Sequence, residues 1–198
     1  MAGTIRVAEP PDADDIRDIY APIVADTAIS FETAVPNATE IRDRITNRVK
    51  QYPWVVYDCQ DEIGGYAVAG PHSSRGAYQW TVDVSVYVRD DRRRKGIGTA
   101  LYGSLLELLR LQGYVRACAV IALPNEASVQ FHKDQGFDLV GVFDSVGYKQ
   151  GAWRDVGWWQ RAIRSPSAEP DPPSPMADLR GSHRLDEALG IGDELLEE

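Results

Sequence analysis

A run of basic residues and glycines, Arg92-Arg-Arg-Lys-Gly-Ile-Gly-Thr99, stands where a valine-rich stretch gives way to a leucine-rich one. Gly96 and Gly98 let the backbone come close to a ligand. If a helix starts here, its free N–H groups and its dipole favour an anion. Arg93, Arg94 and Lys95 add positive charge at the same point, so a pyrophosphate is the natural occupant. The plainer alternative is a solvated basic loop with a helix cap. Two commoner phosphate loops do not fit. There is no Gly-x-x-x-x-Gly-Lys-Ser/Thr, and Gly98 is followed by Thr99, Ala100 and Leu101 rather than by a spaced third glycine. A second group, Asn125, Ser128 and His132, is spaced three and four apart and so shares one helix face. Asn125 suits an N-cap that can also touch a ligand, and His132 is a candidate for proton transfer or substrate contact.

Alternating elements must position these residues. Ile5–Ala8 reads as a short strand, followed by a helix from about Ala13 to Ile29, capped by Asp12 and kinked or divided at Pro22. Thr39 would cap a second helix through about Lys50. Trp54–Asp58 and Ile63–Gly70 read as a strand pair joined by a polar turn at Gln60-Asp61-Glu62. Val82, Val84, Val86 and Val88 alternate with polar residues, so a long strand is expected over about Ala77–Val88. Ile97, Leu101, Leu105 and Leu108 form one stripe of a helix ended by Gly113. Arg116–Leu123 is apolar enough for a strand covered on both faces. A helix over about Asn125–Gln135 and closing strands at Phe137–Val146 and Arg154–Ala162 complete a mixed α/β layer structure.

With 198 residues the chain suits one domain with a substantial core. There are 21 acids against 19 bases up to Arg164, and nine acids against two bases after it. A nearly neutral body with a negative tail argues against a nucleic-acid partner. No apolar run reaches a membrane span, and the N-terminus lacks a signal-peptide pattern. Two cysteines, Cys59 and Cys118, suit a reducing, cytoplasmic compartment and cannot alone build a zinc site; no metal is expected. Residues 1–164 read as the folded domain. Residues 165–198 begin with a Pro-rich stretch and read as an acidic tail, solvated and disordered by default, with a docking segment as the alternative.

The strand followed by Arg93-x-x-Gly96-x-Gly98 resembles the acetyl-CoA pyrophosphate loop of the GNAT acetyltransferases. The Asn125…Ser128 helix ending in Gly136-Phe137 resembles that superfamily's pantetheine-contacting element. Further segments are more specific: Ser30-Phe-Glu32, Tyr52-Pro-Trp54, Gly64-Gly-Tyr-Ala-Val-Ala-Gly-Pro71, Arg75-Gly-Ala-Tyr-Gln-Trp80, and Gly147-Tyr-Lys-Gln-Gly-Ala-Trp-Arg-Asp-Val156. Over about residues 4–163 the chain looks like the phosphinothricin / methionine sulfoximine N-acetyltransferase family.

That resemblance implies a GNAT-type fold with a central mixed, mostly antiparallel sheet flanked by helices. It implies acetyl transfer from acetyl-CoA to the α-amine of a small anionic amino-acid-like compound, as in detoxification, by a homodimer. Acetylation of a protein or peptide N-terminus is the alternative. The donor would lie along Val86, Tyr87, Val88, Arg93, Arg94, Lys95, Gly96, Ile97, Gly98, Thr99, Asn125 and Ser128. The acceptor would meet Phe31, Glu32, Arg75 and Tyr78. The family's general base is a glutamate on the strand before the loop; here Asp83 stands there, one methylene shorter, so Asp83 and His132 share the candidacy. Backbone N–H groups near Val86–Val88 would meet the developing oxyanion, and Tyr148 or another tyrosine would protonate the leaving thiolate.

Overall fold

The computed structural model of the chain describes residues 3–59 and 62–197. Seven strands form one sheet in the order β1-β2-β3-β4-β5-β7-β6. In chain order the elements are β1 (Thr4–Val7), α1 (Ala13–Asp26), α2 (Ala38–Arg48), β2 (Trp54–Asp58), β3 (Ile63–Pro71), β4 (Thr81–Val88), α3 (Ile97–Gln112), β5 (Arg116–Leu123), α4 (Glu126–Asp134), β6 (Asp138–Lys149), β7 (Ala152–Ala162) and α5 (His183–Glu197). Every strand pair is antiparallel except β4 with β5. Among the described residues, no helix is long and apolar enough to cross a membrane.

Strand alternation sorts the core into two layers. Val55, Ala67, Ala69, Val82 and Val84 face α3, whose buried stripe includes Leu101, Leu105 and Leu108. Trp54, Val56, Tyr66 and Ile63 face α1 and α2 through Ile16, Ile19, Ile41 and Ile45. On β4 this leaves Asp83, Ser85 and Tyr87 on the α1/α2 side, because side chains alternate across a strand.

Several expectations meet corrections here. α1 runs unbroken across Pro22 and stops at Asp26, where Thr27 Oγ1 donates to the Ile23 carbonyl at 2.6 Å. Asp12 makes no side-chain cap to α1; its carboxylate accepts from Glu9 N at 2.7 Å and is clamped by Arg6 at 2.7 and 2.8 Å. Asn37, not Thr39, caps α2, in a reciprocal pair with Glu40. The alternation of β4 begins only at Thr81, since Gly76–Tyr78 is a 3-10 turn. Gln60 and Asp61 of the expected polar turn lie outside the described residues.

The largest difference is in the segment after Arg164. Gln112 Nε2 donates to the Ser174 carbonyl at 2.8 Å, and Trp80 Nε1 to that of Asp171 at 2.8 Å. Met176 and Leu179 are buried. α5 then packs along α3 with Leu185 and Ala188 buried. Gly192 permits the contact: a Cβ there would meet Ser104 Oγ and the Ala100 carbonyl at 2.5 and 2.7 Å. The acidic tail is thus ordered against the body rather than solvated.

Candidate active site: a split sheet with two cavities

β4 and β5 pair only over Thr81–Asp83 and Arg116–Cys118. Beyond that point they diverge, so the edge of β4 from Val84 onward has no strand beside it and its backbone groups on that side are open. No bulge interrupts the β3–β4 register; the divergence supplies the open N–H groups instead. A narrow cleft of about 50 Å³ between Val84–Tyr87 and Ala119–Ala122 marks the split.

A cavity of about 370 Å³ opens from this split toward the start of α3. Val86, Tyr87, Val88, Arg93, Arg94, Gly96, Ile97, Gly98, Thr99, Asn125 and Ser128, all named as donor-site candidates above, line it. Lys95 does not; its Nζ donates to the Asp91 carbonyl at 3.2 Å. Arg92, Ile23, Ile29 and Phe131 are additional walls. Gly96 is left-handed at φ 78°, and no side chain caps α3 there. The N–H groups at the helix start are therefore open to an anion. The 3-10 turn at Asp90–Arg92 is tied back by the Arg89 and Arg92 pairs with Glu62. Arg93 pairs with Asp90 at 2.8 Å. A diphosphate at the glycine turn and an extended arm along β4 fit this shape. Asn125 Oδ1 accepts from Ser128 N at 3.2 Å, so Asn125 caps α4 while also facing the cavity.

A second cavity, of about 290 Å³, lies on the α1/α2 side and shares Tyr87 and Ser85 with the split. Asp83 and Glu32 line it. Burial pushes the Asp83 carboxyl above its usual range, and a 2.7 Å hydrogen bond from His72 Nδ1 holds it part-way back. Glu32 is held below the usual range by Arg44, at 2.8 and 3.0 Å, and also accepts from Tyr20. Across the cavity Arg48 has no carboxylate partner among the described residues. Its guanidinium lies over Gly70, where a Cβ would collide with Nη1, and burial lowers its pKa. Gly70 stands opposite Asp83 in the β3–β4 register.

The other predicted acceptor residues lie elsewhere. Arg75 and Tyr78 are exposed at the 3-10 turn rather than on β4; Tyr78 makes a T-shaped contact with the His72 ring. Phe31 lies against Gly147 of β6 and does not line the second cavity. Lys149 pins the loop that carries Phe31 and Glu32, donating to the carbonyls of Val24 and Ser30 at 2.7 and 2.6 Å. Tyr148 is exposed, far from the role of thiolate acid, whereas Tyr87 lines both cavities and the split.

His132 reaches the narrow split but is only 5% exposed. Nε2 faces the Tyr102 hydroxyl at 3.0 Å and Nδ1 the Ser128 carbonyl at 2.8 Å. Burial lowers its pKa. Both ring nitrogens are thus engaged, an arrangement that suits a brace between α3 and α4. Sequence reasoning missed His72, Arg44 and Arg48. The two arginines lie one helical turn apart, bordering the buried Ile41 and Ile45, and that spacing was a readable signal. His72, Asp83 and Cys118 also bring nitrogen, oxygen and sulfur donors within 4.8 Å of one another.

A family model described as the acetyltransferase (GNAT) domain matches residues 5–158. The chain belongs to the GNAT acetyltransferases. With that family goes acetyl-CoA as the donor, and the glycine turn and open β4 edge described above suit it. This GNAT chain is 37% identical over 175 residues to a phosphinothricin N-acetyltransferase of Streptomyces viridochromogenes, covering 88% of this chain and 95% of the relative. It is 38% identical over 162 residues to an L-methionine sulfoximine/L-methionine sulfone acetyltransferase of Pseudomonas aeruginosa, covering 81% and 94%. A solved phosphinothricin acetyltransferase of Sinorhizobium meliloti in complex with acetyl-CoA superposes with a TM-score of 0.80 at 30% identity, covering 89% of this chain and 99% of that one.

Proposed function

We propose that this GNAT enzyme acetylates the α-amine of a small anionic amino-acid-like compound of the phosphinothricin, methionine sulfoximine or methionine sulfone type. One observation carries the reading. An arginine without a carboxylate partner among the described residues and a half-buried carboxylate, Arg48 and Asp83, line one 290 Å³ cavity that meets the donor cleft at Tyr87. Arg48 takes the acceptor's anionic group and Asp83 faces its ammonium. A cavity of about 290 Å³ is of a size that suits a free amino acid.

The donor's thioester supplies an activated acetyl group. Asp83 takes one proton from the ammonium, directly or through water, and the freed nitrogen pair forms the N–C bond as the C–S bond breaks. Open N–H groups of β4 beside Val86–Val88 meet the developing oxyanion. The sulfur keeps the electrons of its broken bond and takes the amine's second proton. Tyr87, kept protonated by burial, is placed to relay it. The proton on Asp83 returns to water.

Exposed apolar side chains on the β6–β7 hairpin, among them Leu139, Val140, Phe143, Val146 and Trp153, support a homodimer through that sheet edge. Two unpaired cysteines support a cytoplasmic setting, and detoxification of such amino-acid analogues is the use that fits. A thiol-release assay with acetyl-CoA across phosphinothricin, methionine sulfoximine, methionine sulfone, free amino acids and short peptides tests the assignment. Turnover confined to the anionic analogues is expected; turnover of peptides alone would overturn it.

A further inference from the structure

Beside Asp83, His72 follows directly on β3 and stands diagonally across from it on the same face of the sheet. An ionised carboxylate can only accept a hydrogen bond, so the 2.7 Å contact fixes the ring with its proton on Nδ1. The ring makes T-shaped aromatic contacts with Tyr78 and Trp158, at 5.5 and 5.6 Å between centroids. His72 lines a neighbouring cleft rather than the acceptor cavity itself. Asp83 therefore lies between His72 and the acceptor.

Building on the acetyl-transfer reading above, we propose that His72 is a positioning residue for the general base: it anchors one oxygen of Asp83 so that the other faces the acceptor amine as an ionised acceptor of its proton. The short side chain of aspartate makes this anchor necessary. An unanchored carboxylate on a half-buried strand would both rotate and hold its proton at higher pH, because burial disfavours the charged form. A donor fixed on one oxygen opposes both effects.

The remaining titratable groups around Asp83 do not substitute for it. Cys118 of β5 stands opposite Asp83 in register; burial pushes its thiol up to about 11, so it stays neutral. Across the cavity Arg44 is committed to Glu32, and Arg48 rests over Gly70. Tyr20, Tyr66 and Tyr87 are all raised by burial and stay protonated.

The test compares His72→Phe, which loses the donor, with His72→Asn, which keeps an amide N–H where Nδ1 stood. Each is assayed for kcat and for the pH profile of kcat/KM by thiol release, with EDTA present so that no metal on the His72–Asp83–Cys118 group contributes. Acetyl-CoA binding by calorimetry checks that each variant is folded. His72→Phe is expected to lose about ten- to hundredfold in kcat at neutral pH, with the acid limb moved up by about one to two pH units. His72→Asn is expected to recover most of the rate and to return the limb toward the parent. If His72→Phe does not bind acetyl-CoA, His72→Gln replaces it, since its longer amide misses the Nδ1 position. A donor-less variant with the parent's rate and profile overturns the inference. So does a His72→Asn as slow as His72→Phe with its acid limb abolished, which would make the imidazole itself the base. A parent enzyme that turns over none of the analogues would instead sink the acetyl-transfer reading.

Discussion

The donor cleft takes most of its walls from two short stretches of chain, residues 86–99 and 125–131, whereas the acceptor cavity draws on α1, the loop after it, α2, β2, β3 and β4. They share Tyr87, yet they recognise their ligands by different physics. The donor side works largely through backbone: an uncapped helix start, a left-handed glycine and an unpaired strand edge. The acceptor side works through two charged side chains, Asp83 and Arg48, set in an otherwise apolar or internally paired lining. Changes on the acceptor side should therefore be severe and confined to one substrate. Single changes on the donor side should be milder, because many amides share the load.

Asp83→Ala gives the largest expected effect. Loss of a general base costs about 10²–10⁴ in kcat, while acetyl-CoA affinity by calorimetry stays within about twofold, as the donor cleft does not include Asp83. Turnover within about threefold of the parent would remove Asp83 from the chemistry. Arg48→Ala comes next. Losing a charge-assisted contact should lower kcat/KM for the acceptor about ten- to hundredfold with the KM for acetyl-CoA unchanged. Arg75→Ala, exposed on its turn, should change neither constant by more than about twofold. If the two arginines exchange these behaviours, the acceptor is bound at the turn and not in the cavity.

Gly96→Val sharpens the donor half of the contrast. A β-branched residue at φ 78° strains the turn by about 1–2 kcal/mol, roughly a tenfold loss of acetyl-CoA affinity. The acceptor KM should not move. A variant that binds acetyl-CoA like the parent would show that the diphosphate does not depend on the shape of this turn.

The same contrast explains what could be read in advance. The donor residues sit in contiguous runs whose composition carries their chemistry, so Arg93, Gly96, Gly98, Asn125 and Ser128 were identifiable before any fold was known. Lys95 shares the run but points its amine at its own loop, a matter of rotamer that spacing does not reveal. On the acceptor side sequence reasoning points to Arg75 and passes over Arg48. The alternation of β4 suggests a strand from about Ala77, where the chain in fact turns. Arg48 reaches the cavity only because Gly70, a strand distant in sequence, leaves room for its guanidinium. His72 becomes meaningful through its neighbour across β3 and β4, which only the register supplies. The C-terminal segment was misread for a related reason: its proline-rich start has the composition of a linker. Its docking depends on a small-residue contact of Gly192 with α3 that no local pattern announces.

His132 offers the finest test, because it separates bracing from chemistry where the two cavities come closest. If it is a brace, His132→Leu should leave kcat within about threefold. It should still lower the melting temperature by about 5 °C at pH 8, since the Tyr102 hydroxyl and the Ser128 carbonyl each lose a buried partner. The sign with pH follows from burial, which depresses the folded-state pKa of His132 below its ordinary value. The brace contributes fully above about pH 6.5, the ordinary value for histidine. That contribution is lost as pH falls through this value toward the depressed one, because only the unfolded chain takes the proton readily. The gap in melting temperature between parent and variant should therefore narrow between pH 8 and pH 5. A gap that stays constant, together with a tenfold or larger fall in kcat, would move His132 from the scaffold into the reaction and make the boundary between the two cavities a catalytic surface.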